Sequence, residues 1–533
     1  GGYLERDQQG TASSFHYNYW SSSVNPITTS GIGQRGNGVP NSNPDYSISD
    51  ILKDGTNVNN PSAINFQSAY IAADGAITSP ITISSYWMFL FNGLSSDYNS
   101  WVSINPMTSI QVGEGYTMKG SSGLAAINSP QNYVYRGKPN NGNISLNISS
   151  GNDRLIGNPY ASSIDAVEFI LDNTNANGGR AASNIINGAL YFWDHFSGGT
   201  HNLQEYVGGY AIYTRMGGVK AISNDIRINN NNAEGTKVPG RYIALNQGFF
   251  VSATLDASIS GATSTVSGGN VLFKNSQRIF KTESVGQSVM FRNAQNTGDI
   301  EFDTCEKLRL MFDSPSGYHR QLLVGVEAFA SLDFDLGFDA PMIDINAEDM
   351  FWNFNNVEYA IQAVDHFNED QILPIGLITN EDGISEISID ELENIPNDKE
   401  IFIFDQELNT YHDLRISAFQ VNLIAGEYLD RFFVTFSDSN DTLSTLDVVE
   451  NQIAISYLNA TNEIFITTIN IFEVESIQLI NMLGQEVQNW KLSQELISNS
   501  EIRILTKSIS EGTYVIKLNT NKTTQSAKVV IKN

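Results

Sequence analysis

The densest chemistry in this chain is the stretch Asp333-Phe334-Asp335-Leu336-Gly337-Phe338-Asp339. Carboxylates at every second or fourth position about a turn glycine bring hard oxygens together, as a calcium ion requires, so Asp333, Asp335 and Asp339 are candidate ligands. The loop is not an EF-hand, because the glycine falls one place early and no Glu closes it. Asp344, Glu348, Asp349, Glu369 and Asp370 stand near enough in sequence to add ligands. The competing reading is an acidic hairpin with Phe334 and Phe338 turned inward, since acidic loops are commoner than occupied sites. No other cofactor is suggested.

His195 and His201 flank Ser197-Gly198-Gly199-Thr200, with Asp194 beside the first. No carboxylate or Cys completes a zinc spacing, and ordinary loop histidines are the expectation. Gly31-Ile32-Gly33-Gln34-Arg35-Gly36 spells G-x-G-x-x-G, yet Asn37-Gly38-Val39-Pro40-Asn41 follows and cannot start the helix that would receive a pyrophosphate. A surface loop is expected there. His-Glu-x-x-His and G-x-S-x-G are absent, no catalytic residue is assigned, and the chain is not expected to be an enzyme. The single cysteine, Cys305, permits no intramolecular disulfide and reads as a buried structural thiol. Tyr17, Tyr19, Trp20, Trp87, Trp101 and Trp193 have the flat faces that stack on sugar rings, though in β domains most such rings are core.

The elements that must position these groups are strands. Apolar residues lie in short runs such as Ile401-Phe402-Ile403-Phe404 and Phe432-Phe433-Val434-Thr435-Phe436, bounded by Gly, Asn, Asp or Pro rather than spaced for helices. The class is all-β: tandem β-sandwich or jelly-roll-like domains ending in a small Ig-like sandwich. A chain of 533 residues exceeds one core. Charge divides it unevenly: residues 301–450 hold 32 acidic and 6 basic side chains, whereas 1–300 and 451–533 are close to neutral. So acidic a protein repels nucleic acid, and that class of partner is excluded. No apolar run is long enough for a membrane-spanning helix. The start at Gly-Gly-Tyr, without Met or leader, is expected of a processed piece.

Two divergent copies of one unit are expected at 1–145 and 146–300. Val112-Gly113-Glu114-Gly115-Tyr116-Thr117-Met118 matches Leu245-Asn246-Gln247-Gly248-Phe249-Phe250-Val251, and Tyr19-Trp20-Ser21-Ser22-Ser23-Val24 parallels Tyr160-Ala161-Ser162-Ser163-Ile164. An acidic β-sandwich domain follows at 301–437, then a polar linker at 438–450 and a terminal domain at 451–533. In that last domain Tyr514, Ile516 and Leu518 share one strand face, as do Ala527, Val529 and Ile531, a period-two pattern that implies stacked sheets. Gly484 is placed for a tight hairpin.

Asn481-Met482-Leu483-Gly484-Gln485-Glu486-Val487, then Ser510-Glu511-Gly512-Thr513-Tyr514-Val515-Ile516-Lys517, then Lys528-Val529-Val530-Ile531-Lys532 resemble the type A C-terminal sorting domain of type IX secretion substrates in the Bacteroidota. Leu483, Gly484, Gln485, Val487, Gly512, Tyr514, Val515, Lys517, Lys528, Val530 and Lys532 carry the likeness. The family's opening Pro-Asn-Pro-like turn is replaced by Ile455-Ser456-Tyr457-Leu458-Asn459-Ala460-Thr461. The resemblance implies passage through the periplasm and an outer-membrane translocon, capture by a barrel shuttle protein, removal by a sorting protease, and a destination on the cell surface or in the medium. Leu155-Ile156-Gly157-Asn158-Pro159-Tyr160-Ala161-Ser162-Ser163-Ile164-Asp165 resembles repeat-type surface proteins of the same bacteria, several of them adhesins and some linked to gliding motility. Asp441-Thr442-Leu443 resembles the O-glycosylation acceptor of these bacteria, at Thr442. The expectation is a surface or secreted adhesin-like binding protein. The alternatives are the C-terminal part of a larger secreted enzyme whose catalytic domain lies upstream of Gly1, and glycan binding by residues 1–300.

Overall fold

The computed structural model describes residues 2–27, 43–126, 129–202, 207–222, 235, 237–255, 265–281, 304–343, 345–355, 357–438, 454–458, 463–467, 474–481, 485–491, 497–498, 501–506, 509–510, 512–520 and 524–531. Gly31–Gly36, Asp344, Thr442, Leu483, Gly484 and Lys532 lie outside the described residues. Among the described residues the only α-helices are Ile48–Ile51 and Ala166–Asn173, neither long nor apolar enough to cross a membrane. The protein is all-β.

Two compact units divide the chain, Gly1–Asp438 and Ser439–Asn533. At the centre of the first is a seven-stranded sheet in the order Gly217–Val219, Val207–Thr214, Leu190–Ser197, Gly248–Ser252, Asp153–Gly157, Phe89–Gly93, Trp101–Ser103. Its strands are apolar on both faces, so they read as continuous hydrophobic runs. Alternation sends Ile156, Leu190, Phe192, Tyr213, Phe249 and Val251 into one core, together with Trp20, Tyr133 and Tyr135. Leu155, Tyr191, Ile212 and Phe250 go to the other side.

That sheet corrects the expected division at 145. Phe89–Gly93 from the first expected copy pairs with Asp153–Gly157 from the second, Gly93 opposite Asp153. The two expected copies interlock reciprocally: Glu114 bridges Ile156, and Gln247, matched to it in the sequence, bridges Trp20. A Cβ at Gly115 would stand 2.7 Å from the Ile156 carbonyl oxygen, and one at Gly248 would stand 2.8 Å from the Tyr19 carbonyl carbon. Each glycine lets the chain press against a strand of the other expected copy, Gly115 against Asp153–Gly157 and Gly248 against Tyr17–Trp20, an approach no larger residue allows. A buried Glu114–Arg154 ion pair crosses the same seam.

The boundary expected at 300 does not separate compact units either. An eleven-stranded sheet spans 307–435 and includes Lys307–Asp313, His319–Val326, Val357–Val364 and Phe402–Asp405. Its Leu323, Ala340, Ile361 and Ala363 pack in one cluster with Tyr191, Ile212 and Phe250, and the Thr214 hydroxyl donates to the Phe338 carbonyl at 2.7 Å. The charge step at 300 marks composition, not an independent body. Its buried carboxylates are matched one at a time. Asp349 takes a bidentate Arg320 at 2.7 and 2.6 Å, Asp405 takes Arg431 at 2.9 and 2.8 Å, and Glu348 accepts backbone N–H groups from Ser316, Asn380 and Glu381. Hydrogen-bonded burial of this kind removes the penalty an unpaired buried charge would carry. Cys305, expected to be buried, is half-buried.

The second unit holds two four-stranded sheets. One runs Ala454–Leu458, Glu463–Thr467, Glu501–Leu505, Ile497–Ser498, and the other Glu486–Lys491, Val474–Asn481, Gly512–Thr520, Thr524–Ile531. Ile464, Ile466, Ile502 and Ile504 of the first meet Ile477, Leu479, Ile516, Leu518 and Ile531 of the second in a core of their own.

Candidate functional site

The second face of the seven-stranded sheet carries cross-strand aromatic pairs. Phe91 lies opposite Trp101, Tyr191 opposite Phe250, and Trp193 opposite Tyr210. Direct opposition on one face brings such rings into contact: Phe91–Trp101 centroids are 4.9 Å apart and Trp193–Tyr210 centroids 5.2 Å. Tyr19 arrives from strand Tyr17–Trp20, lies parallel to Trp193 at 6.0 Å, and places its hydroxyl 3.0 Å from that of Tyr210.

Two hollows open along this face and share Trp101 and Tyr210 in their walls. The smaller, about 180 Å³, is lined by Tyr17, Tyr19, Tyr98 and Trp193 besides the shared pair. Tyr98 is exposed. The larger, about 470 Å³, adds Phe91, Tyr191 and Phe250, with Asp153, Asn187 and Ser252 as polar groups. Of the six aromatics singled out in the sequence, Tyr17, Tyr19, Trp101 and Trp193 therefore converge. Trp20 is fully buried against Tyr133 and Tyr135, and Trp87 is buried beside the smaller hollow, edge-on to Tyr17 at 6.3 Å. Phe91, Tyr191, Tyr210, Phe250 and Asp153 were not anticipated. Their signal is register, which no single strand displays.

Next to the smaller hollow sits a titratable cluster. Lys119 is buried, its Nζ 3.8 Å from the Trp87 ring centroid and 4.7 Å from that of Tyr17. His201 stacks on Trp87 at 4.8 Å. Its Nε2 lies 3.0 Å from Asp74 and its Nδ1 3.1 Å from Lys119 Nζ, the tautomer in which Nε2–H donates to the carboxylate and Nδ1 accepts from the amine. Burial lowers the His201 pKa and brings that of Lys119 down to about 7. His195 is not a loop residue: it belongs to strand Leu190–Ser197, is buried, and stacks on His16 at 4.4 Å. Asp194 is sealed in an ion pair with Lys237 at 2.5 Å. The two histidines expected to flank a loop thus belong to separate clusters.

The aspartate loop is not assembled as a ligand set. Asp339 is fully buried and accepts the Asp335 N–H at 2.5 Å and the Ala363 N–H at 2.7 Å. Burial raises its pKa well above the usual carboxylate range. Asp335 accepts from the Ser331 N–H, and Asp333 from the Asn355 amide. Phe334 and Phe338 are buried, as the hairpin reading requires. Each carboxylate is occupied by donors from a different direction, and among the described residues no group of three or more His, Cys, Asp or Glu side chains is placed to hold a metal ion.

In the second unit, Tyr514 points into the core and its hydroxyl donates to the Ser510 carbonyl at 2.9 Å, a tyrosine returning to its own backbone at a strand entry. The strands flanking Leu483 and Gly484 are tied by Asn481 and Gln485, backbone N–H to carbonyl at 3.0 Å and side chain to backbone N–H at 3.0 Å. Gln485 and Val487 are exposed, and Val515 and Lys517 are half-buried on strand Gly512–Thr520, whose Gly512 pairs with Ile531. In register, Val515 stands opposite Lys528 and Thr513 opposite Val530.

Residues 68–436 match the family described as Domain of unknown function (DUF8693). The chain belongs to the DUF8693 family. The match begins within the first expected copy, covers the second and the acidic sheet, and ends close to the end of the first unit. Residues 455–532 match the Secretion system C-terminal sorting domain. This DUF8693 protein is accordingly a type IX secretion substrate, exported to the cell surface or secreted, and its tail interacts with that machinery. No curated protein shows significant similarity to the chain. Among solved structures it is similar to "Biofilm associated protein - BSP domain" at 10% identity over 87% of this chain and 89% of that one, with a TM-score of 0.14, too low for a shared fold.

Proposed function

We propose that this DUF8693 protein is a non-catalytic, adhesin-like binding protein that engages surface glycans through the aromatic cleft. The carrying observation is the convergence of Tyr19, Trp101, Trp193 and Tyr210 around hollows on an exported chain. Sugar rings present C–H faces that pack on such aromatics, while Asn187 and Ser252 supply hydroxyl-matching polar groups. The nearest acid–base cluster, Lys119–His201–Asp74, is engaged internally with Trp87 and Tyr17, which favours binding over catalysis. The tail's partners are an outer-membrane barrel shuttle protein, met by the exposed Val487 and Gln485, and a sorting protease. A role in gliding motility and a source among the Bacteroidota follow from the same reading.

A glycan array probed with the full chain tests the cleft. Selective binding that Trp101→Ala and Trp193→Ala each reduce at least about tenfold is expected, that being the loss of one stacking contact of about 1.4 kcal/mol. Uniformly flat binding, or binding indifferent to both substitutions, overturns the assignment.

A further inference from the structure

The larger hollow is asymmetric in charge. Among the described residues its lining includes one carboxylate, Asp153, and no Lys, Arg or His. Asp153 opens strand Asp153–Gly157, lies opposite Ser252 on one side and Gly93 on the other, and is hydrogen-bonded by the Ser252 hydroxyl. That hydroxyl in turn accepts the Thr254 N–H at 3.2 Å, which fixes its orientation. The neighbouring cation in sequence, Arg154, is directed to the opposite face of the sheet by strand alternation, where it pairs with Glu114 and the Asn147 carbonyl. Lys119 stands beside the smaller hollow and is held by His201, while Lys237 pairs with Asp194, which alternation with Trp193 puts on the opposite face of the sheet.

Around Asp153 the walls are π faces: Phe91, Trp101, Tyr191, Tyr210 and Phe250. A carboxylate among aromatic rings, in a hollow of about 470 Å³, is the arrangement that stabilises an organic cation, the rings by their quadrupoles and the carboxylate by its charge. We infer that the larger hollow selects the ammonium group of its ligand, so that the preferred glycan is an amino sugar bearing a free or alkylated positive nitrogen. This rests on the cleft being the glycan site and narrows its chemistry. Two further observations agree. Burial raises the Asp153 pKa, a shift that an incoming cation offsets. The net charge of −28 draws cations toward the molecule as a whole.

The test is calorimetric titration of the full chain at pH 7.5 with two probes: a glucosamine hexamer trimethylated at every nitrogen, whose charge is fixed, and its neutral N-acetylated counterpart. Wild type is expected to bind the cationic hexamer about tenfold or more tightly than the neutral one. Asp153→Asn, which keeps shape and removes charge, is expected to abolish that preference, so that the cationic hexamer binds no more tightly than the neutral one to a protein whose melting temperature is unchanged. On lowering the pH, wild-type affinity for the cationic probe should fall as Asp153 is protonated, and Asp153→Asn should show no such fall. A preference that survives in Asp153→Asn, or equal binding of the two hexamers, overturns the ammonium inference and leaves the cleft assignment standing. Absence of binding by either probe, with a flat glycan array, overturns both.

Discussion

The tail and the cleft place function in a β protein in opposite ways. In the tail, the residues that matter are collected within short stretches: Tyr514 bonds to Ser510, four residues away, and Asn481 to Gln485, four residues away. In the cleft, Tyr19, Phe91, Trp101, Asp153, Trp193, Tyr210 and Phe250 come from separate strands spread over more than two hundred positions, and only pairing register puts them on one face. A local signal survives transfer to another chain. A register signal exists only inside its own fold. On this reading an export address can be portable, whereas the proposed binding cleft cannot.

Cutting the molecule between its units tests that contrast most severely. Removal of residues 439–533 is expected to abolish surface delivery while the melting temperature of 1–438, purified from the cell interior, stays as in the full chain, because each unit has its own core. Normal delivery of the truncated chain would break the comparison. Next in size is the difference between sealed and open aromatics within the first unit. Trp20→Ala should lower its stability by about 3–5 kcal/mol, the usual range for a fully buried large ring, whereas Trp101→Ala should reduce glycan binding and lower stability by no more than about 2 kcal/mol. Equal melting temperatures for the two would erase the distinction between core and cleft.

A pH scan sharpens it further. Lys119 titrates near 7 in the folded protein against about 10.5 when unfolded, so between those values the unfolded chain binds more protons and stability rises with pH. Below about pH 7 both states are protonated and the burial penalty is present in full. Lys119→Met should flatten that rise in urea titrations between pH 7 and 10, and a slope identical to wild type would show that the amine is solvated. The smallest effect belongs to the tail. Tyr514→Phe removes one hydrogen bond and should destabilise the second unit by about 1 kcal/mol without changing its core, whereas Tyr514→Asp should unfold it and stop export.

Much of the tail was legible in the sequence because alternation reports directly which side of a strand is buried. Tyr514, Ile516 and Leu518 share a face in the strand pattern and share the core in the structure. Strands of the acidic region were legible from short apolar runs: Ile401–Phe404 and Phe432–Phe436 fall on strands Phe402–Asp405 and Gly426–Thr435. The aspartate loop was readable only as two alternatives, since spacing brings Asp333, Asp335 and Asp339 near one another but does not say which backbone N–H groups will claim them. Domain boundaries misled because both cues, repeat similarity and charge, describe composition. Gly115 and Gly248 looked like equivalent positions in successive domains, yet each fits against a strand of the other expected copy.

By itself the sequence determined the all-β class, the presence and address of the terminal sandwich, and the poverty of hydrolase and zinc motifs. Each of these depends on residue type or on neighbours a few positions apart. Tertiary structure alone decided that the two expected copies interlock, that the acidic sheet packs in one cluster with their central sheet, and that four of six conspicuous aromatics line adjoining hollows, Trp101 sharing the larger with Asp153. Those outcomes depend on which strands pair and in what register, and the free energy that selects a register is summed over the whole buried face rather than written at any one residue.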